Sequence, residues 1–363
     1  MHDSLKKHIR PHYQSMSGYV SAGMETGKNE DLVFMNANES HHVLDDLKGY
    51  NFYPEPQPQK LLELMGQAYG VSADNIMASR GADEALVLLT KVFCEPHQDA
   101  ILIHKPTFGM YAVNADSSPV IIHDVPLIKT ADNFELDKER IIQTACNSDN
   151  KIKIIYLCNP NNPTGGSFAQ EDILEIIEAV NGHAVVVLDE AYAEYSRAGG
   201  MVSALEDHPN LIILRTLSKA YALAGVRMGA MLCYDTEFVD FMRDKALDAY
   251  PLPRPAIEAA LVALAPENQS QIQQNIQTVL EERDRLKELF KRCDFVKTIY
   301  KSDSNFLMIE VDDATALWQH CKNNGFVIRD FSSKAETPNC LRISPASAQD
   351  NNRFMEVFSA FKG

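Results

Sequence analysis

The sequence predicts an α/β protein: a large domain whose mostly parallel seven-stranded sheet is flanked by helices, followed by a smaller α+β domain. Between residues 60 and 233, short apolar runs rich in β-branched residues alternate with segments of helical period, the pattern of a sheet with helices on its faces. After Tyr250-Pro251-Leu252-Pro253-Arg254-Pro255 the character changes to long helices and then to a few short apolar runs. A chain of 363 residues, 45% hydrophobic and 23% charged, is long enough to bury a large core.

Seven stretches carry the strand signal in order: Ile76–Ser79, Ala100–His104, Val120–Val125, Lys153–Leu157, Ala184–Leu188, Leu211–Arg215 and Met228–Cys233. Helical spacing falls between them at Lys60–Tyr69, Asp83–Phe93, Gln170–Val180 and Glu237–Leu247, and again in the longer, charged Gln269–Arg292. In the last third, Phe306–Val311, Phe326–Ile328 and Leu341–Ile343 read as strands. The chain therefore divides into an irregular arm over 1–50, a large domain over 51–250 and a small domain over 251–363, with the boundary near Pro251. No internal repeat or low-complexity tract interrupts it.

Charge and cysteine usage narrow the function. Lys and Arg total 34 against 50 Asp and Glu, a net charge of −16, so a nucleic-acid backbone or an anionic membrane is repelled overall. Anionic small molecules then need a locally positive site. Seven widely spaced cysteines without a Cys-x-x-Cys pair argue against a disulfide framework or structural zinc and for a reducing compartment. No apolar leader and no stretch of membrane-spanning length is present. A cytoplasmic protein is expected.

One segment points to chemistry: Thr216-Leu217-Ser218-Lys219-Ala220-Tyr221-Ala222-Leu223-Ala224-Gly225-Val226-Arg227, with Lys219 thirty residues beyond the Asp189 that ends Val185-Val186-Val187-Leu188-Asp189. A lysine amine, two hydroxyls, an arginine and a strand-terminal carboxylate are what pyridoxal 5′-phosphate (PLP) requires. The amine can condense with the cofactor's aldehyde. Thr216, Ser218 and Arg227 can ligate its phosphate, and Asp189 can keep the pyridine nitrogen protonated. Apolar neighbours on both sides disfavour a solvated Lys219, and desolvation beside a cation lowers an amine's pKa, making it a usable base. Gly81-Ala82-Asp83-Glu84 lies between a strand and a helix, where backbone N–H groups form an anion site, so Ala82 and Asp83 are expected to cradle the same phosphate. Phe108, just after a strand, can lie flat on the pyridine ring. Asn159-Pro160-Asn161-Asn162-Pro163-Thr164-Gly165 follows another strand and positions Asn162 at the same sheet edge, where ligands of open α/β sheets gather.

These stretches, together with Asn36-Ala37-Asn38-Glu39, Tyr53-Pro54-Glu55-Pro56-Gln57-Pro58, Pro106-Thr107-Phe108-Gly109-Met110-Tyr111, Tyr250-Pro251-Leu252 and Cys340-Leu341-Arg342-Ile343, resemble the fold-type I, class I/II aminotransferases over nearly the whole chain, and most closely the branch acting on histidinol phosphate. The resemblance implies that Lys219 binds the cofactor and moves the proton, that Asp189 faces the pyridinium, and that Asn162 and Tyr192 hydrogen-bond the ring's phenolic oxygen. It implies that Tyr53 reaches across a homodimer to the neighbour's phosphate. Arg329 and Arg342 match the family's two substrate-anion arginines, with Asn162 also near substrate. Tyr19 resembles the N-terminal tyrosine that contacts the substrate phosphate, with Tyr13 as its rival, and the arm is expected to join the small domain.

The implied reaction is transfer of the amino group of L-histidinol phosphate to 2-oxoglutarate. An aromatic amino-acid transaminase, a phosphothreonine decarboxylase and a non-catalytic PLP-sensing module are the alternatives. The acidic chain shows no helix-turn-helix before Asn36 to serve the last of these. Two departures from the family pattern, Ser40-His41-His42 and Arg254, bear on substrate rather than cofactor. The histidine pair lacks a third ligand at a spacing suited to a metal.

Overall fold

A computed structural model describes residues 1–18 and 33–362. Its large sheet contains seven strands: β1 (Ile76–Ser79), β2 (Ala100–Ile103), β3 (Ile121–Asp124), β4 (Ile152–Cys158), β5 (Val185–Asp189), β6 (Leu211–Thr216) and β7 (Gly229–Leu232). They lie in the order β1-β7-β6-β5-β4-β2-β3. Six run in one direction, and β7 is antiparallel to both its neighbours. All seven expected strands are present, with no end shifted by more than one residue.

Strand periodicity sorts the side chains into two cores. Ala78, Leu102, Ile155, Leu157, Val186, Leu188 and Ile213 fill one face; Met77, Ile101, Ile154, Tyr156, Val185, Val187 and Leu214 fill the other. Because both faces are covered, strands such as Val185–Asp189 are buried at every position, which explains their unbroken apolar runs.

The second sheet is antiparallel, in the order β8-β9-β11-β10, from β8 (Val296–Ile299), β9 (Leu307–Val311), β10 (Arg329–Asp330) and β11 (Cys340–Ile343). The run Phe326–Ile328, expected as a strand, is not one. Phe326 N–H closes the preceding helix onto the Cys321 carbonyl, and the Ile328 carbonyl accepts the Trp318 indole N–H, so pairing begins only at Arg329. The 22-residue helix Gln269–Phe290 joins the two sheets. Its Ile276 packs into the first core and its Leu286 and Phe290 into a third core under the small sheet, so the two units share this helix beyond Pro251.

The beginning of the arm corrects an expectation. Residues 1–15 form two helical turns on the large sheet's helices rather than on the small domain. Leu5 and Ile9 are 0% and 2% exposed within the second core. Arg10 pairs with Glu95, and its N–H reaches the Val92 carbonyl. Burying two branched side chains decides this placement, at about 1.5–3 kcal/mol each.

Candidate active site

The carboxyl ends of β4, β5 and β6 and the start of helix Ala82–Phe93 converge on one cavity. Ala82, Asp83, Phe108, Asn162, Asp189, Tyr192, Thr216, Ser218, Lys219 and Arg227 all line it, joined by Cys158, Ala191 and Ala224. Ten residues expected from separate motifs thus meet at one place.

Two glycines allow the helix start and Arg227 to approach each other closely. Gly81 caps the helix at φ +77°, a conformation that favours glycine, and a Cβ there would stand 2.7 Å from Arg227 Nη2. At Gly229, opposite Thr216 in the ladder, a Cβ would come within 2.7 Å of the Ala82 nitrogen. The helix start therefore sits against the sheet with Arg227 beside it. Ser218 Oγ lies 3.0 Å from Thr216 Oγ1 and 3.4 Å from Arg227 Nη1, while Arg227 Nη2 donates to Asp83 at 3.1 Å. Free N–H groups, two hydroxyls and a guanidinium in this arrangement fit a phosphate.

Lys219, Asp189 and Tyr192, titratable side chains that are partly or fully buried, line the same cavity. Lys219 Nζ stands 5.5 Å from the centre of the Tyr192 ring. Burial lowers its pKa, with Arg342 and Arg227 adding to the effect and Asp189 and Asp83 opposing it. Asp189 is 3% exposed. Burial pushes its pKa up, while the Tyr111 hydroxyl and the Ala191 N–H hold it down. Asn162 Nδ2 reaches the Tyr192 hydroxyl at 3.4 Å. Asn161 ties this loop to the one carrying Phe108: its amide donates to the Pro106 carbonyl at 2.9 Å. Phosphate donors, a buried carboxylate, a depressed lysine and an aromatic wall together fit PLP.

Arg342, on β11 of the small sheet, reaches the cavity's lining at Asn162. Its guanidinium donates to Asn162 Oδ1 and lies 5.1 Å from the Phe306 ring centre and 5.4 Å from that of Phe331. Desolvation lowers its pKa. Arg329 is directly opposite it in the ladder and more exposed. The Asp330 carboxylate, a candidate partner for Arg329, accepts the Ser332 N–H instead.

Other expected residues lie elsewhere. Tyr53 is 56% exposed and stacked on Tyr250 with ring centres 4.1 Å apart, outside the cavity of its own chain. Tyr19 lies outside the described residues. Its rival Tyr13 sits by Arg10, at the far end of helix Ala82–Phe93 from the cavity. Arg254 donates to Glu258 and to the Gly49 carbonyl, and His41 meets Phe52 edge to face. Among the described residues, no group of three or more His, Cys, Asp or Glu side chains is placed to hold a metal, and no helix is long and apolar enough to cross a membrane. Tyr111, Cys158 and the aromatic pair around Arg342 have no role in the sequence reading. Tyr111 lay within a recognised motif, and its contact with Asp189 spans 78 positions.

The sequence profile of the family described as Aminotransferase class I and II matches residues 23–358. Histidinol-phosphate aminotransferase 2 of Idiomarina loihiensis is 37% identical over 354 residues, covering 96% of this chain and 96% of that protein. Among solved structures, histidinol-phosphate aminotransferase from Sinorhizobium meliloti, in complex with pyridoxal-5′-phosphate, superposes with a TM-score of 0.75 at 23% identity, over 86% of this chain and 84% of that one. L-threonine-O-3-phosphate decarboxylase from Porphyromonas gingivalis gives 0.70 at 21%, over 87% and 92%. Both structures share the fold, and the fold alone does not separate a transaminase from a decarboxylase.

Proposed function

The chain belongs to the aminotransferase class I and II family, and we propose that it is a PLP-dependent transaminase converting L-histidinol phosphate and 2-oxoglutarate to imidazole acetol phosphate and L-glutamate in histidine biosynthesis. The observation that supports this reading is the cross-strand pairing of Arg329 with Arg342, whose guanidinium donates to Asn162 in the lining of the cavity that holds Lys219. Two facing cations require an anion. Histidinol phosphate has a phosphate and no α-carboxylate, whereas glutamate offers carboxylates, and guanidinium groups grip both. The near-full-length identity to a curated histidinol-phosphate aminotransferase favours this donor over an aromatic amino acid or phosphothreonine.

When bound, PLP supplies an aldehyde to carry the amino group and a protonated ring to withdraw electrons. The protein's own groups do the rest. Ala82 and Asp83 N–H groups, Thr216, Ser218 and Arg227 hold the phosphate; Phe108 walls the ring; Asn162 and Tyr192 bind its phenolic oxygen; Asp189 supplies the counter-charge at the ring nitrogen. Lys219 Nζ, its proton affinity lowered by burial and Arg342, would take the proton from the substrate carbon bearing the amino group and hold it for return on the far side of that nitrogen. Arg342 and Arg329 orient the substrate, with Asn162 beside Arg342 and Tyr19 as an added contact to the phosphate.

The working unit is a homodimer. The exposed Tyr53, stacked on Tyr250 outside its own cavity, is free to complete the phosphate site of a partner. Seven free cysteines suit the reducing cytoplasm. Loading the protein with PLP, reducing it with borohydride and mapping the labelled peptide tests the reading: the label falls on Lys219, and a label on another lysine overturns it.

A further inference from the structure

Asp189 is sealed from water, yet each of its carboxylate oxygens has one donor. Oδ1 accepts the Ala191 N–H at 3.1 Å, and Oδ2 accepts the Tyr111 hydroxyl at 2.8 Å. Tyr111 is 0% exposed. Burial and the charge of Asp189 push its pKa well up, so the hydroxyl keeps its proton and donates it. Its ring is fixed on two sides: stacked on Tyr156, with centroids 4.9 Å apart and 5° between planes, and edge-on to Phe108 at 5.6 Å. Tyr156 is itself pinned, its hydroxyl 2.9 Å from Thr90 Oγ1, to which the Asn114 amide donates at 2.8 Å. One side chain therefore touches both the counter-charge and the stacking wall of the cavity.

We propose that Tyr111 is the positioning residue for the cofactor ring: its hydroxyl fixes and keeps ionised the Asp189 carboxylate, and its ring edge braces Phe108. The inference rests on reading the cavity as a PLP site. The titratable groups facing Asp189 are Tyr111 from helix Met110–Ser117, Cys158 from β4, Asp83 from the start of helix Ala82–Phe93, and Tyr192 and Lys219 from the loops after β5 and β6. Burial and Asp83 favour a neutral Asp189; the Tyr111 hydroxyl, the Ala191 N–H and Lys219 favour the carboxylate. Without the Tyr111 hydroxyl, burial acts against one donor fewer. Asp189 then takes up a proton at a higher pH, and neutral Asp189 no longer holds the ring nitrogen protonated. The acid limb of both the cofactor spectrum and the activity moves up in pH.

The test uses the PLP-loaded full chain with Tyr111→Phe, and a second form carrying 3-fluorotyrosine at position 111, whose phenol is a stronger donor of the same shape. Tyr111→Phe is expected to melt within a few degrees of the parent and to label at Lys219 on borohydride reduction. Its KM for the amino donor should stay within two-fold while kcat falls about ten-fold, as for loss of one hydrogen bond to a charge. The acid limb of its bound-cofactor absorbance should rise by about one pH unit, and that of the fluorinated form should fall. Absorbance titrations matching the parent's in both forms overturn the inference while leaving the Lys219 label intact. A parent protein that does not label at Lys219 overturns the PLP reading and this inference with it.

Discussion

Arg329 and Arg342 are direct cross-strand partners on β10 and β11. Like charges placed opposite one another on a sheet are destabilising. Arg342 is moored by Asn162 and two aromatic rings, whereas Arg329 is the more exposed of the two. Replacing Arg329 with leucine should leave the melting temperature equal or slightly higher while kcat/KM for histidinol phosphate falls about 10–100-fold, the loss of one charge-assisted contact. A large drop in stability without a kinetic effect would assign Arg329 to the fold instead.

Arg342 is also the main charged group lowering the pKa of Lys219. In the PLP-free protein, Lys219 should therefore lose its proton at a lower pH than exposed lysines. Arg342→Leu should move its titration back up. Competitive acetylation followed by peptide mapping across pH 7–11 measures both. Equal reactivity of Lys219 and surface lysines at every pH contradicts the argument.

Gly81→Ala puts a methyl group 2.7 Å from Arg227 Nη2 and strains a backbone at φ +77°. Backbone strain of this kind costs about 1–3 kcal/mol, and the displaced guanidinium leaves the phosphate cradle. Equilibrium dialysis against PLP should show binding weakened at least about ten-fold, as expected from loss of one charged phosphate contact. Parent-like affinity would remove Arg227 from the phosphate site.

A buried ion cluster staples the two strand ends that carry the site. Glu190 follows Asp189, Arg215 precedes Thr216, and the two pair at 2.9 Å with Glu194 joining at 2.8 Å beneath the Tyr69 ring. Removing one member of such a cluster costs about 3–5 kcal/mol, because it strands a buried charge. Urea unfolding of Glu190→Ala should show that loss. A midpoint unchanged from the parent would mean that water or a shifted side chain takes the place of Glu190.

His8, in the arm docked on the large domain, is 7% exposed, and its Nε2 has no partner. Burial, helped by Lys153, Lys7 and His183, lowers its pKa to about 4. Between the ordinary histidine value near 6.5 and this one, the unfolded chain holds a proton that the folded chain does not. Stability from His8 is thus complete above that window and declines as pH falls through it, by about 1.4 kcal/mol per pH unit. His8→Phe should flatten the change in urea midpoint between pH 6.5 and 4.5. An identical slope in parent and variant would show that folded His8 takes up the proton.

The legible parts of this protein were those written in contiguous residues. Strands such as Val185–Asp189 announce themselves because both their faces are buried, and the cavity because the residues lining it stand in short motifs beside strand ends or at a helix start. Val296–Ile299 escaped notice because a half-exposed edge strand alternates Val, Lys, Thr and Ile. The contact of Tyr111 with Asp189, the register of Arg329 against Arg342 and the docking of Leu5 and Ile9 are fixed by packing between distant segments, which no local pattern encodes. The placement of residues 1–15 on the large sheet's helices, where the sequence suggests the small domain, has the same origin.

The central claim concerns the amino donor, and one comparison tests it most directly: kcat/KM for L-histidinol phosphate, histidinol and phenylalanine, measured side by side on the PLP-loaded parent with 2-oxoglutarate as acceptor. The paired arginines predict that histidinol phosphate leads by a wide margin and that histidinol falls well behind it, since loss of the phosphate leaves two guanidinium groups without their anion. A clear lead for phenylalanine, or equal rates for histidinol and its phosphate, would contradict that assignment.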